Sequence, residues 1–209
     1  MLPLLTCLLL AAPTTYPLDP AATELVALTS PAGLFAGASH PHVLVARQVQ
    51  GEVTFDPEAP EATRVWVRFP ADALENDDPA LRARFGLGGP LPAETRREVA
   101  TNLRSAGQLD VKRYPEVSYR SRSARRLADG ALELSGTLTV RGVAAAVTLP
   151  VHLGLEAGVL RGEGTVGITH AMFGFQPYTA ALGTIRNAEA MTLRLTLVAR
   201  APAPDAGGP

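Results

Sequence analysis

The chain has 209 residues, 46% hydrophobic and 19% charged, which suits one ordinary domain with a sizeable core and excludes wholesale disorder. Its 19 glycines and 18 prolines favour turns over long helices. A formal net charge of −1 removes the electrostatic motive for nucleic acid as a partner, and a lone cysteine, Cys7, excludes a disulfide framework or a thiolate metal cluster within one chain.

Residues 1–12, MLPLLTCLLLAA, form an apolar run of signal-peptide length that ends in small residues, although no Lys or Arg precedes it. It is too short to span a bilayer, which needs about 20 residues. It reads as a signal peptide, followed by a single domain over 13–201 and a loose tail over 202–209. The expected location is therefore the periplasm or the exterior.

Most of the chain beyond this leader alternates with period two, the signature of half-buried strands. Val53 and Phe55 alternate with Glu52, Thr54 and Asp56, and Val65, Val67 and Phe69 with Arg64, Trp66 and Arg68. The stretch from Asp72 to Leu91 carries too many turn residues for a core segment. From Pro92 to about Ser105 the pattern turns helical, with Pro at the start, Glu94 early, and Val99 and Leu103 spaced i, i+4. Strand alternation resumes at Val117 and Tyr119.

Leu132, Leu134, Leu138 and Val140 occupy even positions, whereas Val143, Ala145, Val147, Leu149 and Val151 are odd. A two-residue turn at Arg141-Gly142 places both apolar rows on one sheet face. Another strand runs near Val159–Thr169 with interleaved glycines, and the last alternates Met191, Leu193, Leu195 and Leu197 with polar residues. Many strands in meander order, one helical excursion and no βαβ rhythm predict a closed barrel or sandwich.

Four ordered segments carry a family resemblance. GEVTFDP (Gly51 to Pro57), LDVKRYPEVSYRS (Leu109 to Ser121), SGTLTVRGVAAAVTLPV (Ser135 to Val151) and HAMFGFQP (His170 to Pro177) resemble, in order, segments of the YceI-like family of lipocalin-like polyisoprenoid-binding proteins. SHPHVLVA (Ser39 to Ala46) resembles a subgroup with an H-x-H-V pattern in the second strand. The resemblance runs from about Tyr16 to Ala201. It implies an eight-stranded antiparallel lipocalin-like barrel with one helical excursion between early and later strands, enclosing a polyisoprenoid, an isoprenoid quinone or a similar long apolar lipid. It implies no cofactor and no catalysis.

The expected lumen-lining residues are Phe35, Val43, Val45, Phe55, Phe69, Leu138, Val140, Val147, Ile168 and Phe173, joined by Phe175. Trp66 lies on the polar row of its strand and is expected at a rim or under the helix. Because a tight core uses the same residue types, a filled barrel acting as a stress-related or protein-partner module is the alternative.

His40 and His42 carry the most chemistry. In a regular strand their imidazoles point the same way, about 6–7 Å apart. Such a pair begins a metal or haem site, contacts a ligand head group, or simply hydrogen-bonds near a strand start. A closed zinc site needs four ligands, and His152 and His170 lie in distant segments, so no metal is assigned. Ser39 beside His40 makes no triad, because adjacent strand residues face opposite sides and no G-x-S-x-G elbow exists. The basic run Lys112, Arg113, Arg120, Arg122, Arg125 and Arg126 suits either a solvated outer face or transient contact with anionic lipid. A homodimer stays open.

Overall fold

The computed structural model describes residues 13–34, 36–180 and 184–202; the leader and Phe35 lie outside them, as does the tail beyond 202. The alternating segments form β1 (Thr14–Pro17), β2 (Glu24–Ala32), β3 (His42–Ala46), β4 (Gln50–Phe55), β5 (Arg64–Pro70), β6 (Leu74–Asn76), β7 (Glu116–Arg126), β8 (Leu132–Val140), β9 (Val143–Glu156), β10 (Val159–Thr169), β11 (Thr179–Ala180) and β12 (Ile185–Arg200).

Three pairs of short strands act as single long staves, each interrupted by a few irregular residues. β1 runs antiparallel to β4 with Thr14 opposite Phe55, and β2 runs antiparallel to β3 with Thr29 opposite His42. β4 likewise pairs with β5, and β3 with β6. Counting β1–β2, β3–β4 and β5–β6 as one stave each, the described residues give eight antiparallel staves. Each pairs with the next through β7, β8, β9, β10 and β12. β12 then returns to β2, with Met191 opposite Thr29, and closes the tube. Closure removes the exposed edges that an open sheet would present.

The β8–β9 hairpin follows from its turn. Val140 pairs with Val143, so two residues connect the strands. Both have positive φ, +53° at Arg141 and +71° at Gly142. That is a type I′ turn, whose twist matches the flanking strands.

One helix is expected from the sequence, and two α-helices are present among the described residues. α1 (Pro79–Arg84) lies in the stretch whose turn residues argue against core, and α2 (Ala93–Arg104) falls on the helical pattern. The turn residues are what begin α1. Asp78 caps it by accepting from the backbone N–H groups of Ala80 and Leu81 at 2.9 and 3.0 Å, with Pro79 in the first turn. Leu81, Phe85 and Leu87 pack on the outside of the barrel against Val26, Leu28, Val43 and Val45.

Inside the barrel, the two ends differ. At one end Tyr16, Val53, Phe55, Leu132, Val151, Leu160, Leu197 and Ala199 form a solid apolar plug. At the other, the walls stand apart and enclose a cavity.

Candidate functional site

The cavity has a volume of about 280 Å³, near the lower end of small-molecule sites. All eight staves send residues to it. Ala27, Leu44, Val67, Phe69, Leu138, Val147, Ile168, Leu193 and Leu195 make up its walls, and Phe173 and Phe175 come from the loop after β10. Val99, Asn102 and Leu103 of α2 lie across it like a cover. α2 has no fully buried residue, so its apolar side rests on the open part of the tube rather than in a packed core.

Polar groups gather at the open end. Thr29, His42, His170 and Asn187 reach the cavity there, while Ser118 and Tyr119 add polar atoms from β7. Tyr119 donates its hydroxyl to the Leu134 carbonyl at 3.0 Å, and burial pushes its phenol pKa up to about 12. His170 donates Nδ1–H to the Glu189 carbonyl at 2.9 Å and meets the Phe175 ring edge-on at 5.1 Å.

His42 is held by a buried ionic cluster. Its Nδ1 lies 2.8 Å from Asp77 Oδ2. Asp77 is fully buried, and its Oδ1 accepts from Arg82 at 2.9 Å and from the Val43 backbone N–H at 3.3 Å. Arg82, 2% exposed, also donates to the carbonyls of Pro41 at 2.7 Å, Gly89 at 3.0 Å and Leu87. Burial pushes the Asp77 carboxyl towards protonation, but the hydrogen bond and charge of His42, with hydrogen bonds from Asn76 and Arg82, outweigh it and hold its pKa below the usual value. An ionised Asp77 only accepts, so the proton between the two sits on Nδ1 of His42. The other ring nitrogen, Nε2, has no protein partner among the described residues.

Of the residues expected at the lumen, His42, Phe69, Leu138, Val140, Val147, Ile168, Phe173 and Phe175 line the cavity. Phe55 points into the barrel but belongs to the plug. Val43 and Val45 are corrected: they face outward beneath α1. Strand alternation forbids His42 and Val43 from sharing a face, and the inward row is His42, Leu44 and Ala46. His40 is exposed in the connection before β3, so it does not share a strand face with His42. Phe35 lies outside the described residues. Trp66 sits on the outer face, paired with Glu52 and Arg120, with the Arg68 guanidinium 5.8 Å from its ring.

Among the described residues, no group of three or more His, Cys, Asp or Glu is placed to hold a metal ion. The basic run is partly neutralised on the outer face, where Arg125 meets Glu133 at 2.8 Å and Arg126 meets Glu61 at 3.2 Å. The sequence reading missed Ala27, Leu44, Val166, Met191 and Leu193 of the wall. Strict alternation within β2, β3, β10 and β12 finds them. It also missed Asp77 and Arg82: they pair with each other five residues apart, but Asp77 meets His42 35 residues away and Arg82 meets the Pro41 carbonyl 41 residues away, which no local signal reveals.

Residues 16–199 match the family model of the YceI-like domain. BcnA of Burkholderia cenocepacia superposes with a TM-score of 0.66 at 17% identity, over 87% of this chain and 98% of that one. The YCEI protein of Campylobacter jejuni gives 0.59 at 14% identity, over 77% and 85%. A polyisoprenoid binding domain from Saccharophagus degradans, implicated in plant cell wall breakdown, gives 0.61 at 11% identity, over 90% and 99%. At these identities the likeness is one of fold. No curated protein matches in sequence.

Proposed function

The chain belongs to the family of YceI-like domains, and from that premise we propose that it carries a long apolar lipid, a polyisoprenoid or isoprenoid quinone, in the open half of its barrel and performs no chemistry on it. The observation that supports this reading is the cavity itself: a tube plugged at one end, hollow at the other and walled almost wholly by aliphatic and aromatic side chains. A structural neighbour described as a polyisoprenoid binding domain points the same way.

The energetics are sufficient. Burying apolar surface stabilises a complex by about 0.8 kcal/mol per CH₂, so each five-carbon isoprene unit contributes roughly 3–4 kcal/mol gross. Loss of chain and rigid-body freedom offsets much of this. Four or five units, roughly 12–20 kcal/mol gross, therefore suffice for micromolar binding, which needs about 8 kcal/mol net.

The open end also suggests how a lipid enters. Leu34 is 85% exposed, and Tyr178 and Val143 are exposed near the same rim. Arg141, two residues before Val143, lies over the Phe175 ring at 5.7 Å. An apolar rim with basic neighbours suits transient contact with an anionic bilayer. Export through the apolar leader of residues 1–12 is part of the same proposal, and cell fractionation checks it.

Lipid extraction from protein purified out of its native host, followed by mass spectrometry, tests the carrier function. Recovery of an isoprenoid is the expected result. Repeated recovery of no lipid, together with no uptake of isoprenoids in titration, refutes it.

A further inference from the structure

We propose that the open end of the cavity contains a head-group subsite, formed by Thr29 and His42, that selects ligands bearing a free hydroxyl. This rests on the carrier function above and adds to it the chemical class of the ligand's polar end.

Thr29 is 6% exposed, lines the cavity, and its Oγ1 has no hydrogen-bond partner among the described residues. A buried hydroxyl left unmet costs free energy, which the polar end of a ligand would recover. His42 lies directly opposite on the neighbouring strand, so the two side chains project from the same face, about 5 Å apart at their Cβ atoms. His42 Nδ1 lies 2.8 Å from Asp77 Oδ2 and carries the proton between them, so in the neutral imidazole Nε2 is a lone-pair acceptor without a protein partner among the described residues.

The subsite thus offers one group that donates and accepts, Thr29 Oγ1–H, beside one that only accepts, His42 Nε2. A hydroxyl satisfies both, accepting from Thr29 and donating to His42. A carbonyl or ether oxygen accepts only, and leaves Nε2 unmet. The ionic cluster behind His42 is then a positioning device: it fixes which nitrogen carries the proton and aims the other. An isoprenoid alcohol and a prenylated hydroquinone both carry the required group, whereas the corresponding ether and quinone do not.

The test uses the full chain at pH 8 and competition against a fluorescent apolar probe, N-phenyl-1-naphthylamine. Farnesol is compared with farnesyl methyl ether, and a geranylated hydroquinone with its quinone. The hydroxyl member of each pair is expected to bind about tenfold more tightly or better. Thr29→Val keeps the shape and removes the hydroxyl. It removes the donor that both members of a pair accept from, so it is expected to weaken alcohol and ether alike by about threefold or more with their ratio kept, and to melt no lower than the parent chain because an unmet polar group is lost. Equal affinity within both pairs, or undiminished affinity of both members in Thr29→Val, overturns the subsite while leaving the carrier standing. Failure of all four compounds to displace the probe overturns the carrier as well.

Discussion

Removing the Asp77 carboxylate tests whether the buried cluster is what holds the open end together. In Asp77→Ala, Arg82 keeps its charge at 2% exposure and His42 loses its orienting acceptor. Breaking a buried pair by deleting one partner costs about 3–5 kcal/mol. Three backbone carbonyls still accept from Arg82, which argues for the lower end, about 3 kcal/mol. For a domain of this size that corresponds to a fall in melting temperature of about 6–12 °C. Urea unfolding followed through Trp66, the single tryptophan, measures the same loss as a shift in midpoint at unchanged slope. The double variant Asp77→Leu with Arg82→Met removes both charges and is expected to recover most of the stability. The effect also has a defined pH window. The Asp77 pKa is lower in the folded chain than its ordinary value of 3.8, so the carboxylate contributes stability above about pH 4 and loses it as pH falls through the depressed native value. The gap between the parent chain and Asp77→Ala therefore narrows in acid. A single-variant loss below about 1 kcal/mol, or a double variant as unstable as the single losses combined, refutes the reasoning.

Other outcomes rest on the geometry of the barrel wall. Val147→Trp places an indole in the cavity, so probe uptake is expected to fall more than tenfold while the melting temperature changes by only a few degrees; undiminished uptake would mean that ligands bind elsewhere. Gly136→Ala puts a methyl 2.5 Å from the Arg120 carbonyl and 2.6 Å from the Tyr119 hydroxyl, and should cost about 1–3 kcal/mol in urea unfolding. Tyr119 is expected to ionise near pH 12 in an ultraviolet titration. Because its folded pKa is raised, the stability it contributes is complete below pH 10 and is lost as pH rises towards 12, a loss absent in Tyr119→Phe.

How much of this is legible in the sequence varies along the chain. Wherever apolar residues alternate cleanly, as in Leu132–Val140 and Met191–Leu197, the inward row can be read directly, since the pleat has period two and nothing distant alters it. The Arg141-Gly142 turn is equally local, because two positive φ angles demand a turn of that type and length. The H-x-H before and in β3 misleads for a matching reason: His40 lies before the strand begins, so the spacing has no pleat to act on. The stretch from Asp72 to Leu91 reads as open loop when its turn residues are counted rather than placed. Asp78 and Pro79 begin a helix there, and Asp77, just past the end of β6, is buried.

Residue alternation and turn chemistry alone therefore determine a meander of antiparallel strands and which side of most of them is oily. Whether that oil fills the tube or leaves it hollow belongs to the tertiary structure. The same valines and leucines meet at the plugged end and stand apart at the other, and only the strand registers, the closure of β12 onto β2 and the span of α2 set the distances between facing walls. The orientation of His42 is decided at the same level, by a carboxylate 35 residues further along the chain that no local pattern brings to it.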